Sequence, residues 1–353
     1  MALLTVVLVL GGLIFFHELG HFLVAKASGV AVEEFALGFG PLLVAFRWGE
    51  TQYSLRLLPL GGFVRMAGMH PEDAIPPDEK LAAPEAKARP YEEGRGFNDQ
   101  TVGRRAAIIA AGPGVNILLA VVLFAVVYGG LGVPQATLTV DRLVPGAPAE
   151  QAGIRPGDRL VAIDGKVLTS WAEVPQAVAR SEGGLVVVVD RHGEKKTFTL
   201  TPRVEDGRKI MGIYPRVEPV RLPFLAAVGQ GFRDTAVLVG SWFQGLAQLA
   251  QPGGTQGVMG PVGIADTIAQ ASRAGWAQVL FLAGIISLNL GLINLLPIPA
   301  LDGSRLVFLG LEALRGKPID PRKEGLIHLV GFALLMLLIL MVTFQDIHRL
   351  TGS

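Results

Sequence analysis

Four long apolar stretches constrain this chain more than any other feature of it. They run from Ala2 to Ala27, from Ala106 to Val133, from Trp276 to Leu296 and from Leu326 to Phe344. A helix needs about 20 predominantly apolar residues to cross a bilayer, and each stretch is of that order. Hydrocarbon offers the backbone no hydrogen-bond partner, so each is expected to be a spanning helix that satisfies its own N–H and C=O groups. The first stretch lacks a basic start and a small-residue cleavage pattern, and His17, Glu18 and His21 interrupt it. It reads as a retained helix and not as a signal peptide. The charged fraction agrees, at 17% of 353 residues against about a quarter in an ordinary soluble domain.

The segments between the spans differ in kind. Basic residues cluster from Lys26 to Arg105 and again from Arg305 to Lys323. Basic loops tend to stay in the cytoplasm, and with four crossings both fall on that side. The expected division is a first span (1–31), a cytoplasmic loop (32–102), a second span (103–133), a soluble island (134–219), a membrane-surface region (220–274), a third span (275–304), a second cytoplasmic loop (305–325) and a fourth span with tail (326–353). Within the first loop, Gln52 to Met66 partly alternates apolar residues around Pro59, Gly61 and Gly62, a hairpin signal placed at 52–67. Glu72 to Asn98 is rich in Pro, Ala and charge and reads as an exposed loop. Leu222 to Gln251 is apolar but carries Arg233, Asp234 and several Gln. It reads as an amphipathic surface helix, with a fifth span as the alternative.

His17-Glu18-Leu19-Gly20-His21 carries the chemistry. Residues i and i+4 share a helix face, so His17 and His21 can reach one metal ion, and Glu18 projects beside them to take a proton from water. The setting strengthens this short motif. An ionisable group at mid-span costs roughly 2.5–3.5 kcal/mol, and three of them in five residues call for a compensating cation. The alternative is a polar patch packed on another helix. There is no cysteine, so further ligands come from His, Asp or Glu.

Catalytic zinc usually has three protein ligands. His70, His192 and His348 lie in a loop, a turn and the tail, and His328 begins the last span as an interfacial residue. Asp302, in Asn294-Leu295-Leu296-Pro297-Ile298-Pro299-Ala300-Leu301-Asp302-Gly303, is the better candidate, with an aspartate at an ordinary helix cap or turn as the alternative. Pro297 and Pro299 force non-helical backbone there, which at membrane depth lines a protein-buried or wet cavity. Spacing alone does not bring Asp302 to His17.

These features together resemble the site-2 protease family of intramembrane zinc metalloproteases, across nearly the whole chain. Alanine 147 to Leu168, with the island around it, resembles the PDZ family. The fold implied is an α-helical polytopic membrane protein of about four transmembrane helices, with a re-entrant β-hairpin and an inserted α+β PDZ-like domain. The resemblance implies Zn2+ held by His17, His21 and Asp302, with Glu18 activating water. Gly112-Pro113-Gly114-Val115-Asn116 resembles the family's GPxxN motif, Asn289 and Asn294 match asparagines on the aspartate-bearing helix, and Gly61 and Gly62 lie in the matching hairpin. Ser304 stands where many members have a second Gly, which implies a slight shift of the turn.

On this resemblance Asn116, Asn289, Asn294, Gly61 and Gly62 are candidate substrate contacts. Helix–helix contact is the alternative for the asparagines, and a plain structural ribbon is the alternative for the hairpin, whose edge would otherwise accept an extended substrate strand. The expected substrates are single-pass membrane proteins such as anti-sigma factors and signal-peptide remnants, already trimmed by another protease. The expected place is the bacterial cytoplasmic membrane, with both termini and the PDZ-like domain outside and the active site toward the cytoplasm. Within the island, Lys209 to Ile213 resembles a carboxylate-binding loop. A metal transporter or a non-catalytic PDZ scaffold is the rival reading. The first has no need of Glu18 in its motif, and the second has no need of a buried metal site. Nucleic acid is not expected, with a net charge of +1.

Overall fold

The computed structural model describes residues 2–69, 91–181, 183–205, 207–249, 251 and 259–351. His70 and positions 72–90 of the loop read as exposed lie outside these. The chain divides into two compact units, one of residues 1–127 and 223–353 and one of residues 128–222.

Helix α1 (Ala2–Ala27) opens the first unit. It leads into β1 (Val32–Trp48) and β2 (Thr51–Met66), which pair antiparallel. The ribbon thus begins at Val32, earlier than the hairpin signal at 52–67. Its register is double: Phe35 faces both Val64 and Tyr53, while Val44 faces Leu55 and Trp48 faces Thr51. The four segments therefore lie in the order 42–48, 51–58, 32–39, 62–66. Gly38 and Gly61 have positive φ, 86° and 119°, where a side chain is strained. Glu34, buried at the ribbon's root, accepts hydrogen bonds from Ser54 and Arg56. Beyond the root, Leu43, Val44, Phe46 and Trp48 are exposed, a surface suited to lipid.

Helix α2 (Val102–Val126) runs on as a π-helical turn to Leu131. The second unit follows: β3 (Val133–Leu143), α3 (Pro148–Gln151), β4 (Arg159–Ile163), β5 (Lys166–Val167), α4 (Glu173–Arg180), β6 (Leu185–Arg191), β7 (Glu194–Leu200), β8 (Arg203–Glu205), β9 (Arg208–Ile210) and β10 (Ile213–Val220). Its main sheet has the order β10-β3-β4-β6-β7, with β5 paired to β4. Alternating residues of the strands, among them Leu185, Val187 and Val189, close over Val174 and Val178 of α4 in one core. The β6–β7 turn is made by His192 and Gly193, both with positive φ, 57° and 88°, which suits the twist of a two-residue hairpin.

The chain then returns to the first unit. Helix α5 (Phe224–Leu249) packs on the end of α2 through small residues. A Cβ on its Gly231 would lie 2.7 Å from the Val121 carbonyl. Next come α6 (Pro261–Ala274), α7 (Trp276–Asn294), α8 (Asp302–Arg315) and α9 (Pro321–Thr351). Two expectations are corrected here. The third span ends at Asn294, so Asn289 and Asn294 lie on α7 while Asp302 opens a separate helix. Pro297 and Pro299 account for the break, since proline cannot continue a helix interior. Most of the connection expected as loop, 305–325, is helical up to Arg315.

Among the described residues four helices are long and apolar enough to cross a membrane: Ala2–Ala27, Val102–Leu131, Trp276–Asn294 and Arg322–Thr351. Helix α5 is not among them. A core of Ala25, Val30, Met66, Ile108, Ile109 and Leu309 joins α1, the ribbon's root, α2 and α8. It is the floor on which the polar residues of α1 are set.

Candidate metal centre

Helix α1 presents His17 and His21 on one buried face, one turn apart. The loop after α7 delivers Asp302 to the same point. Its Oδ2 lies 3.1 Å from His17 Nε2 and 3.3 Å from His21 Nε2, and the two Nε2 atoms are 3.3 Å apart. One ligand atom from each of the three residues falls within 4.8 Å of the others.

The far sides of the imidazoles fix which nitrogens face inward. His21 Nδ1 lies 2.8 Å from the Ile108 carbonyl. A carbonyl only accepts, so Nδ1 carries the proton and Nε2 presents a lone pair. His17 Nδ1 lies 3.2 Å from the Asn116 side-chain amide, which is fully buried. Asn116 Oδ1 has no hydrogen-bond partner among the described residues. With the amide oxygen turned to His17 it accepts from Nδ1–H and leaves His17 Nε2 free as well. Asp302 Oδ2 is also buried and has no hydrogen-bond partner among the described residues. Three lone pairs thus converge on one point, an arrangement that repels unless a cation sits among them. Two imidazole nitrogens and one carboxylate oxygen are the donor set of a catalytic zinc site.

Close backbone contacts make the convergence fit. A Cβ on Gly112 would stand 2.3 Å from His21 Nε2, and one on Gly20 2.6 Å from the Ala111 carbonyl. Gly112 therefore opens the space that the His21 ring fills, and Gly20 lets α1 meet α2. Gly303 is pressed under the Leu295 and Leu296 carbonyls, at 2.4 and 2.2 Å from where its Cβ would be. Ser304 is buried and donates to the Leu301 carbonyl at 2.7 Å, closing the turn that holds Asp302.

Glu18 interacts electrostatically with His21, His17 and Asp302. Across from it is the 62–66 segment of the ribbon, where a Cβ on Gly62 would come 3.0 Å from Glu18 Cγ. Gly61 instead packs on the Phe39 ring. Asn289 and Asn294 are half-buried on α7 and are not part of the three-ligand cluster. His192 and His348 are not part of it either, and His328 contacts the loop before Asp302. The Ile108 carbonyl escapes sequence reasoning, because a backbone acceptor carries no residue signature.

Residues 5–338 match the sequence profile of peptidase family M50. This chain belongs to peptidase family M50. It is also similar along almost its whole length to curated relatives. A zinc metalloprotease RasP of Geobacillus kaustophilus is 34% identical, over 99% of this chain and 98% of its own. The regulator of sigma-W protease RasP of Bacillus subtilis is 33% identical over 98% and 97%. A probable protease eep of Enterococcus faecalis is 31% identical over 98% and 99%. With its four apolar helices the M50 chain is a multi-pass membrane metalloendopeptidase.

Proposed function

We propose that His17, His21 and Asp302 hold the zinc ion of this intramembrane protease and that Glu18 is its general base. The observation that carries the reading is the convergence of three ligand atoms, with the buried Asp302 Oδ2 lacking a hydrogen-bond partner among the described residues. When bound, the zinc ion supplies Lewis acidity toward water and the scissile carbonyl. Glu18 takes the proton of the attacking water and hands it to the leaving amine. Ile108 and Asn116 hold the two imidazoles in the tautomer that points Nε2 inward. Asn116 is thereby given to orienting His17 rather than to touching substrate.

The substrates proposed are single-span membrane proteins, of the kind suggested by a relative named for regulating sigma-W. A helical substrate hides its scissile bond and must extend before it is cut. The 62–66 segment ends the ribbon, and among the described residues no strand pairs with its outer edge. A substrate strand added there would satisfy its own backbone and lie against Glu18, because Gly62 has no side chain to hold it away.

The 128–222 unit is read as a PDZ-like module. Trp171, Val174 and Val178 face Lys209 to Ile213 across a groove of about 250 Å³, suited to the free C-terminus of a substrate already trimmed. The basic connections support a reading in which residues 28–101 and 295–320 lie in the cytoplasm of a bacterial cell and the 128–222 unit outside. The test is zinc per chain and cleavage of a single-span substrate in detergent. Asp302→Ala is expected to lose both, since two histidines alone hold zinc weakly. An Asp302→Ala protein with wild-type zinc refutes the ligand set, and cleavage without metal refutes the mechanism.

A further inference from the structure

The loop that delivers Asp302 is held in a conformation it would not adopt alone. Ala300 has φ of +75°, a left-handed setting that is strained for a non-glycine residue and persists only where the surroundings over-determine it. Part of that hold is local: the Leu301 N–H donates to the Ile298 carbonyl at 3.1 Å. A further part comes from α9, which contributes two positions one turn apart.

The first is His328. The Ala300 N–H donates to His328 Nδ1 at 3.0 Å. For Nδ1 to accept, the ring proton must sit on Nε2, and Nε2 faces Glu324 Oε1 at 3.7 Å, one turn earlier on the same helix. The Phe308 ring of α8 meets the imidazole edge-on at a centroid distance of 5.7 Å. The second position is Gly331. A Cβ there would fall 2.1 Å from Pro299 Cβ, so the glycine is a socket for the proline next to Ala300. Histidine and glycine thus grip adjacent residues of the loop, two positions before the carboxylate.

We propose that His328 is a positioning residue for the metal centre: with Gly331 it clamps Pro299 and Ala300 so that Asp302 meets His17 and His21. This rests on Asp302 being a zinc ligand. Residues that orient a ligand from behind typically change metal affinity or activity 10–100-fold when lost. The clamp also gives the fourth span a use in catalysis, although it supplies no ligand.

The isosteres of histidine make the test sharp. The Asn side-chain oxygen falls where Nδ1 is and can accept from Ala300, whereas Gln places its polar group where Nε2 is. His328→Leu, His328→Asn and His328→Gln would be compared in the full-length protein in detergent. Two readouts apply: zinc retained against a chelator, and kcat and KM on a single-span substrate. Leu and Gln are expected to lower zinc retention and kcat about tenfold with KM nearly unchanged, and Asn is expected to restore most of both. Gly331→Ala, which leaves His328 intact, should produce the same kcat-directed loss. Equal behaviour of Asn, Gln and Leu overturns the proposal, as does a loss of activity with unchanged zinc retention. Asp302→Ala run beside them keeps the two readings apart. Full zinc in that variant removes the ligand assignment, whereas indifference to His328 substitution leaves it standing.

Discussion

At the scale of single residues, this centre depends as much on missing side chains as on present ones. Gly62 and Gly112 each press bare backbone against a different member of the HExxH motif, Glu18 and His21. Their alanine variants should therefore fail in different ways. Gly112→Ala puts a methyl 2.3 Å from His21 Nε2, and inserting a methyl into so tight a site costs roughly 1–3 kcal/mol. Zinc binding is expected to fall with activity. Gly62→Ala crowds Glu18 Cγ at 3.0 Å and the Ala36 carbonyl at 2.9 Å, so cleavage should fall while zinc stays. Metal analysis of the two purified proteins separates them, and zinc loss in Gly62→Ala would contradict the assignment. Glu18→Gln is expected to match the Gly62 pattern more severely. It should keep about one zinc per chain and lose at least about 100-fold in kcat, the range attributed to a general base. Residual cleavage near the wild-type rate would remove Glu18 from that role.

At the scale of elements, what was legible followed from local rules. The i,i+4 histidines on α1 are a helical pattern, and Pro297 with Pro299 announces the break before Asp302. The double pairing of β1 was not legible, because Val32 to Trp48 is bent at Gly38 and its second partner is set only by the ribbon's register. The meeting of Asp302 with α1 was not legible from spacing either, since 281 positions separate it from His21. Resemblance supplied that expectation. The second unit shows a similar limit. Asp158 and Arg191 carry no motif as a pair, yet the carboxylate is buried and accepts from Arg191 Nε and Nη2 at 2.7 Å each and from the Arg155 N–H at 2.8 Å. Burial alone would raise the Asp158 carboxyl, but these partners outweigh it and hold it below its ordinary value. A lowered carboxyl stabilises the fold above its unfolded pKa of about 4 and loses that contribution as pH falls through the folded value. Asp158→Ala leaves the half-buried Arg191 with the Gly153 carbonyl at 2.8 Å but without its counter-charge, and is expected to destabilise the unit. Hydrogen exchange of residues 128–222 in the full-length protein reads this directly. Protection there should drop at neutral pH in the variant and below about pH 4 in the wild type, and unchanged protection would show the pair to be dispensable.

For the molecule as a whole, the open choice is whether α5 crosses the membrane, because one added crossing moves everything after it to the other side. Two structural facts argue for four crossings. Arg105 at the start of α2 forms a buried ion pair with Glu312 of α8, with Nη1 to Oε2 at 3.1 Å. Met66 and Phe97 of the first connection share a core with Leu309. The connection before α2 and the one after α7 therefore meet, which fits an arrangement with both on one side. A crossing by α5 would separate them, and its span would have to hold Arg233 and Asp234 in hydrocarbon, where charged groups cost roughly 2.5–3.5 kcal/mol each. The chain has no cysteine, so single cysteines can be placed without background. Lys317→Cys marks the connection after α7 and Lys195→Cys marks β7 of the second unit. An impermeant maleimide is expected to label Lys195→Cys in intact spheroplasts and Lys317→Cys only in inverted vesicles. Basic loops remain inside, and the basic cluster from Arg305 to Lys323 is the one the four-crossing arrangement keeps there. Labelling of both positions from the same face would mean that α5 crosses. It would then also require the Arg105–Glu312 pair to span the membrane, which a charge reversal, Arg105→Glu with Glu312→Arg, would test through recovered activity.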